Sequence, residues 1–321
     1  MSEPRTVLSL AEAYLADRRL LGFTAQSSGS QIKSFARFAD DVGHTGPLTS
    51  RIVLLWAKDE AHRASPFTWG QRVNVLRPFA CYLADIEPGT EFPRGAPFGR
   101  SRRRLAPHIY TQEEIDALLS ATRRLSPLHG LRPATYETLF GLLAATGIRI
   151  SEALHLQCRD FDPVQGKLLV RWAKFQKTRA LPLHPTVTTV LEQYLRRRAR
   201  DGQTNDGAPF FLSSRTGKQL RYRAVNDLFR KLCLDIGLKN RGAHPAVRIH
   251  DLRHTFICRR VMLWHESGVD IDNAMMALST YVGHANLTDT YWYLHAIPNL
   301  MAVAAGRFET FAGQREEVRR G

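Results

Sequence analysis

Five residues in the second half of the sequence could carry out phosphoryl chemistry: Arg149, His250, Arg253, His284 and Tyr293. Two guanidinium groups can hold the nonbridging oxygens of a phosphodiester and offset the charge that grows on phosphorus. A histidine can accept a phenolic proton or hydrogen-bond to the phosphate. The phenol can attack phosphorus and form a covalent phosphotyrosyl bond, which conserves the bond energy for rejoining. Together, these residue types predict phosphodiester cleavage without a metal ion.

The first of three local motifs is ATGIRISEALHL, residues 145–156. Gly147 ends one predicted helix and Ser151 with Glu152 begins the next, which places Arg149 in the turn between them. An arginine beside a helix N-terminus is well placed to bind an anion, because the first amide groups of the helix point the same way. The alternative is an ordinary surface arginine paired with Glu152.

The second motif is RIHDLRHTF, residues 248–256, and it predicts a helix. His250 and Arg253 are three residues apart and share a helical face. His250 and His254 are four apart, a spacing that also suits metal ligands. No carboxylate or cysteine is evidently paired with these histidines, so the sequence predicts neither a metal nor a cofactor.

The third motif is YVGHANLTDTYWYLH, residues 281–295. It places His284 after a glycine and follows it with three consecutive aromatic residues, Tyr291, Trp292 and Tyr293. Taken alone, such aromatics are more typical of a core or a stacking surface than of a nucleophile. Only their combination with the arginines and histidines favours catalysis.

Charge predicts the partner. Among 321 residues, 45 are Lys or Arg and 30 are Asp or Glu, which gives a net charge of +15. Residues 1–93 hold ten of each sign, so the whole excess lies beyond them. A basic protein of this kind is expected to bind a polyanion such as double-stranded DNA. The alternative is that the charge serves only solubility.

The sequence also bears on location. No run approaches the roughly 18 apolar residues of a membrane span. Four dispersed cysteines argue against disulfides and favour a reducing cytoplasm. As a DNA-binding protein, it is expected in the bacterial cytoplasm in association with the nucleoid.

Hydrophobic periodicity predicts a mainly α protein with a small β-sheet. Four helices are predicted in residues 8–23, 27–42, 51–62 and 72–85. The first of these places Leu8, Ala11, Leu15 and Leu21 near one face, which is expected to meet the core. Residues 94–108, rich in Pro, Gly and Arg, predict a linker that either lies along a phosphate backbone or is merely solvated. Further helices are predicted in residues 111–125, 134–147, 186–200, 223–237 and 251–267, and a β-hairpin in 167–183.

The motifs TGIRISEAL, AKFQKTRALPL, HDLRHTF and VGHANLTDTYWYLH, in this order, resemble the tyrosine recombinases, the integrase family of phages and of chromosome-dimer-resolving enzymes. The resemblance covers residues 109–298 as a catalytic domain, and residues 1–93 resemble the family's helical, SAM-like core-binding domain. It implies a site-specific recombinase that cleaves and rejoins DNA through a 3′-phosphotyrosyl intermediate without metal or ATP. The protein would act as a homotetramer on DNA or together with partner recombinases. A mobile element is the expected setting.

The resemblance also implies roles for single residues. Arg149 and Arg253 would clamp the phosphate, with Glu152 bracing the former. His250, the first residue of the HxxR motif, would assist proton transfer, and His284 would hydrogen-bond to the scissile phosphate. Tyr293 lies nine residues after His284, the family's habitual spacing for the nucleophile. Tyr291 is the rival.

A hairpin lysine would protonate the 5′-oxygen leaving group. Counting back from the TRALP segment favours Lys174, with Lys177 as the alternative. Phe175 stands where the family often has glycine, so the turn of this hairpin departs from the pattern.

Two segments are harder to interpret. The segment of residues 254–281 is longer than expected for this family, which predicts an extra turn or loop within it. Residues 299–311 form an amphipathic pattern within the tail 299–321, which would dock on its own domain or, as the family suggests, on a neighbouring protomer.

Two other functions use similar residues. A type IB topoisomerase would relax supercoiled DNA as a monomer, and a non-catalytic accessory protein of the same fold would only bind DNA. A binding protein needs no particular tyrosine, so the complete residue set favours an enzyme. A P-loop is not supported, because RTGK at residues 215–218 lacks the upstream glycine.

Overall fold

The structure is a computed structural model that describes residues 6–23, 26–59, 65–99, 104–171, 178–200, 206–284 and 286–296. The chain divides into two compact units, Met1–Arg104 and Leu105–Gly321. No helix in the described ranges is long and apolar enough to cross a membrane.

The described residues of the first unit form four helices: α1 (Val7–Leu20), α2 (Gln26–Asp41), α3 (Ser50–Lys58) and α4 (Pro66–Ile86). The Thr6 side chain caps α1 by accepting a hydrogen bond from the Ser9 amide, which satisfies one of the unpaired donors at the helix start. The four-helix prediction for this segment is confirmed. The observed bounds of these helices differ from the predicted ones. The largest difference at a helix start is in α4, which begins six residues before the predicted start.

The apolar face of α1 agrees with the predicted one at Ala11 and Leu15, which are buried, but not at Leu21. Leu10 and Tyr14 are buried, whereas Leu21, which we placed on the core face, is 70% exposed and lies just after the helix end. The core of the unit is aromatic, with Phe35 and Trp56 in an edge-to-face contact 5.5 Å apart. The prediction for Leu21 was wrong because α1 ends one residue before it.

The second unit is mainly helical around a small sheet. Its helices are α5 (Gln112–Arg123), α6 (Leu131–Thr146), α7 (Ile150–His155), α8 (Pro185–Arg200), α9 (Tyr222–Asp235), α10 (Ile249–Glu266), α11 (Ile271–Val282) and α12 (Thr288–Ala296). Thr111 and Glu114 form the expected capping box at the start of α5. The fold class predicted from the sequence, mainly α with a small sheet, is confirmed.

The sheet has three antiparallel strands in the order β1 (Phe161–Asp162), β2 (Lys167–Val170) and β3 (Arg179–Pro182). Strands β2 and β3 are the predicted hairpin, with Leu168 opposite Leu181 and both side chains fully buried. Because successive side chains alternate between faces, Arg179 at the start of β3 lies on the opposite face of the strand from Ala180.

Residues 254–281 contain helix rather than an extra loop. Helix α10 continues to Glu266, a short turn follows, and α11 runs from Ile271 to Val282. The unexpected length of this segment therefore lies in regular structure that packs against the rest of the unit. A hydrophobic cluster joins α10, α11 and α12 through Ile257, Met275 and Tyr293.

The described ends of the predicted linker contact the units that they adjoin. Phe98 packs against the core of the first unit. In the second unit, His108 is fully buried, and the carbonyl of Ala106 accepts a hydrogen bond from the Ala243 amide. Residues 100–103 lie outside the described ranges. The domain bounds from the sequence remain a prediction.

Candidate active site

Three consecutive carbonyls at the C-terminal end of α11, those of residues 281–283, each accept a hydrogen bond from a different arginine. Arg179 Nε donates to the first at 3.0 Å, Arg253 Nη2 to the second at 2.7 Å, and Arg149 Nη2 to the third at 2.8 Å. The last carbonyls of a helix lack partners within the helix and carry its partial negative charge. The end of α11 therefore gathers three cations from distant parts of the chain.

Arg149 lies in the turn that the sequence predicted. Gly147 ends α6 in the left-handed conformation, with φ 63°, and Arg149 is the N-cap residue of α7. Its amide donates to Glu152 Oε2 at 2.9 Å and its Nη1 donates to Oε1 at 3.0 Å. Its side chain keeps 26% of its surface exposed, so part of the guanidinium faces solvent.

Glu152 is buried and is shared by two arginines. Besides Arg149, it accepts two parallel hydrogen bonds from Arg179, of 3.0 and 2.9 Å. Burial alone would raise the pKa of this carboxyl, but the hydrogen bonds and charge of Arg179, together with Arg149, lower it below its usual value. Glu152 is therefore an anion that holds two cations in fixed positions.

Arg179 is a site residue that was not predicted from the sequence. It stands in the RALPL segment that we used only to count back to a lysine. Its basic side chain at the start of the second hairpin strand was the available signal, but its partners are 27 and 102 residues away.

Arg253 is almost fully buried on α10. Its Nη1 donates to the Gly147 carbonyl at 2.7 Å, while Nη2 bonds to the end of α11. Burial and the nearby charge of Arg149 lower the pKa of Arg253 to about 9, while Tyr293 and Glu152 favour its charged form. The guanidinium remains protonated at neutral pH, and its two amino groups fix its plane.

Tyr293 lies on α12, where its side chain is 3% exposed. Its ring belongs to the hydrophobic cluster that includes Ile257 and Met275. The hydroxyl lies 2.6 Å from Nδ1 of His254. Because burial lowers the pKa of His254 to about 2, the imidazole is neutral, and we assign the phenolic O–H as the donor and Nδ1 as the acceptor.

The other two histidines flank this contact. His250 is exposed, and its ring stands edge-on to that of His254 at 4.7 Å. His284 lies parallel to the Tyr293 ring at 6.3 Å, and its Nδ1 is 2.6 Å from Thr290 Oγ1. Partial desolvation by the neighbouring side chains and the charge of Arg253 lower the pKa of His250 to about 4 and that of His284 to about 3. Both rings are therefore neutral at pH 7.

The structure thus brings together Arg149, Glu152, Arg253, His284 and Tyr293, with His250 at the edge. Lys174 and Lys177 lie outside the described residues. The rival Tyr291 is half-buried on the same helix as Tyr293. The described part of the chain contains no group of three or more residues arranged to bind a metal.

Two fixed guanidinium groups near a tyrosine hydroxyl, on a mainly helical unit with a small sheet, define a class of enzyme that transfers a DNA phosphoryl group to tyrosine. Comparison with known proteins agrees. The family model for the phage integrase family matches residues 109–299. The chain belongs to this family, the tyrosine-type site-specific DNA recombinases.

Relatives extend the similarity beyond the catalytic unit. The putative integrase/recombinase y4rB of Sinorhizobium fredii (strain NBRC 101917 / NGR234) is 34% identical over 95% of this chain and 97% of its own length. The tyrosine recombinase XerC of Serratia marcescens is 30% identical over 87% of this chain and 86% of its own length. The Tn1549 transposon integrase, solved in complex with transposon right end DNA, shares the fold with a TM-score of 0.65 at 17% identity, covering 96% of this chain and 100% of that one.

Proposed function

We propose that Tyr293 is the nucleophile and that Arg149 and Arg253 bind the nonbridging oxygens of the scissile phosphate. Support comes from the adjacent carbonyls of residues 282 and 283, which hold the two guanidinium groups side by side. This arrangement is the observation that carries the proposal. A phosphodiester between the two cations relieves their repulsion, which otherwise lowers the pKa of Arg253.

In the cleavage step, the Tyr293 oxygen forms a bond to phosphorus as the bond to the 5′-oxygen breaks. The phenolic proton leaves to a nearby base, and a second proton reaches the 5′-oxygen. Rejoining reverses the step, because the phosphotyrosyl bond retains the energy of the original ester. Fixed guanidinium groups stabilise the pentacovalent transition state without reorganising.

The remaining residues assist. Glu152 positions Arg149 through two hydrogen bonds and is itself held by Arg179. His284 stacks beside Tyr293, where it would hydrogen-bond to the phosphate. His250 stands on the exposed side of His254 and assists proton transfer. Lys174, with Lys177 as the alternative, supplies the proton to the leaving group.

The substrate in this proposal is a pair of duplex DNA recombination sites, bound by four protomers that exchange strands two at a time. The net charge of +15 supports DNA binding, because each phosphate that is neutralised releases a counterion. Solved relatives such as the XerH recombinase and the Tn1549 integrase contain their DNA substrates. The chain would act in the cytoplasm, in contact with the nucleoid.

A mobile element is the proposed setting, because relatives include a transposon integrase and the putative integrase y4rB. The tail 299–321 would contact a neighbouring protomer. An apolar groove of about 360 Å³, lined in part by Phe256, Trp264 and Leu278, offers a surface for an amphipathic segment. Removing residues 299–321 should then weaken assembly on DNA more than binding to a single site.

A two-site plasmid assay tests the proposed reaction. The DNA site is first selected from random duplexes by binding to Tyr293→Phe protein, and two copies are then cloned in direct repeat. Recombination should produce two smaller circles without metal or ATP. Relaxation of a plasmid lacking the site, without resolved circles, would instead indicate a type IB topoisomerase, and binding without any covalent adduct would indicate an accessory protein.

A further inference from the structure

His254 contacts the atom that the proposed function makes the nucleophile. Its Nδ1 lies 2.6 Å from the Tyr293 hydroxyl, a distance typical of a strong hydrogen bond. The two rings are 5.3 Å apart and tilted by 48°. In the sequence, His254 stands out only as a possible metal ligand four residues after His250. Its contact with Tyr293 joins residues 39 positions apart.

The surroundings fix this contact from both sides. His254 directly follows Arg253, whose guanidinium is held by two carbonyls, so α10 cannot rotate without breaking those bonds. Tyr293 is held by the hydrophobic cluster of α10, α11 and α12. The phenolic proton therefore points at a defined acceptor before any DNA is bound.

We propose that His254 is a catalytic residue that receives the phenolic proton of Tyr293 during DNA cleavage. This inference rests on the proposed role of Tyr293. As the tyrosine oxygen bonds to phosphorus, its O–H bond breaks, the proton moves to His254 Nδ1, and the electron pair of the breaking P–O bond leaves on the 5′-oxygen. In rejoining, the imidazolium returns the proton to the departing phenolate.

Electrostatics keep His254 unprotonated, and therefore able to accept a proton, before DNA binds. Burial, together with His250, Arg248 and Arg253, lowers the pKa of His254 to about 2. A phosphate bound at the neighbouring arginines adds a negative charge and favours the protonated imidazole. His254 thus becomes a better proton acceptor when the scissile phosphate is in place.

The test is single-turnover cleavage of a nicked duplex carrying the selected site. His254→Leu removes the acceptor, whereas His254→Asn places an amide oxygen close to the position of Nδ1 but cannot take a proton. We expect both variants to form the covalent adduct about 100-fold more slowly than the unchanged protein, in the range of general base catalysis. His265→Asn, on the same helix but outside the site, should cleave normally.

Two further measurements separate the proposed role of His254 as a general base from a role as general acid and from a role in folding or DNA binding. With a sulfur atom replacing the 5′-oxygen, the leaving group needs no proton, so a variant lacking the general acid recovers its rate while His254→Asn stays slow. Thermal unfolding and DNA binding of the variants show whether they fold. A rate for His254→Asn within threefold of the unchanged protein would overturn the proposal and leave His254 a positioning residue.

Failure of this inference is distinguishable from failure of the proposed function. If Tyr293→Phe forms no adduct while both His254 variants cleave normally, Tyr293 remains the nucleophile and His254 is not its base. If Tyr293→Phe still forms the adduct, both the role of Tyr293 and the role of His254 are wrong.

Discussion

Arg179 binds Glu152 through two parallel hydrogen bonds of 3.0 and 2.9 Å, and this pair joins strand β3 to helix α7 across 27 residues of sequence. Glu152 also holds Arg149, and Arg179 also binds the end of α11. A buried carboxylate and a strand arginine thereby fix the position of Arg149, the arginine that we propose binds the scissile phosphate.

Replacing the shared carboxylate tests this dependence. Glu152→Gln leaves two partly buried guanidinium groups without their anion, so the free energy of unfolding should fall by about 3 kcal/mol, as when a buried ion pair is broken. Urea denaturation measures this loss. Glu137→Gln breaks the exposed pair with Arg123 and should change stability by less than about 1 kcal/mol. Equal losses in the two variants would contradict the structural role of Glu152.

Gly283 should tolerate no side chain. It has φ +68°, and an added Cβ would lie 2.7 Å from Arg179 Nη1. Gly268 has nearly the same φ, +69°, with nothing within 4 Å of an added Cβ. Gly268→Ala should therefore cost about 1 kcal/mol from backbone strain alone, while Gly283→Ala costs more and slows cleavage. The comparison uses thermal unfolding and adduct formation. Similar effects at both sites would show that the contact with Arg179 is unimportant.

A lysine cannot replace Arg253. The single ammonium group of a lysine cannot bridge the Gly147 and Val282 carbonyls and also present a planar pair of donors to phosphate. Arg253→Lys should slow adduct formation about 100-fold, the usual effect of losing a transition-state donor. Arg260→Lys, on the exposed side of the same helix, is the control. A mild effect at Arg253 would argue against bidentate binding of the phosphate.

Acid should destabilise the fold partly through His284. Its pKa is lowered to about 3 by burial and by Arg253, so the folded protein stays unprotonated where the unfolded chain, near pH 6.5, takes up a proton. Such a group contributes stability above pH 6.5 that is lost as pH falls towards 3. Between pH 6.5 and 5, the unfolding free energy of His284→Gln should therefore fall less than that of the unchanged protein. Parallel pH profiles would contradict the shift.

Much of the fold could be predicted because its signals are local. The capping box at Thr111, the glycine that ends α6 and the alternating residues of the hairpin each act within a few positions. Arg149 and Arg253 could be chosen for the same reason, since each belongs to a short motif. Leu21 was misplaced because the end of a helix depends on packing that a periodic pattern does not record.

The contacts that make the site could not be predicted. The carbonyls of residues 281–283 lie 29 to 134 positions from the arginines that they bind, and carbonyls have no sequence signature. The bond between His254 and Tyr293 likewise depends on how α10 and α12 pack. Sequence periodicity showed which residues share a helix face, and tertiary packing determines which faces meet.

The central claim is tested most directly by covalent trapping on a nicked duplex that carries the selected site. The unchanged protein and Tyr291→Phe should form an adduct that survives denaturing electrophoresis, because the phosphotyrosyl bond is covalent. Tyr293→Phe should bind the same DNA and form no adduct. An adduct of normal yield from Tyr293→Phe, or its loss in Tyr291→Phe with binding intact, would contradict the assignment of Tyr293 as the nucleophile.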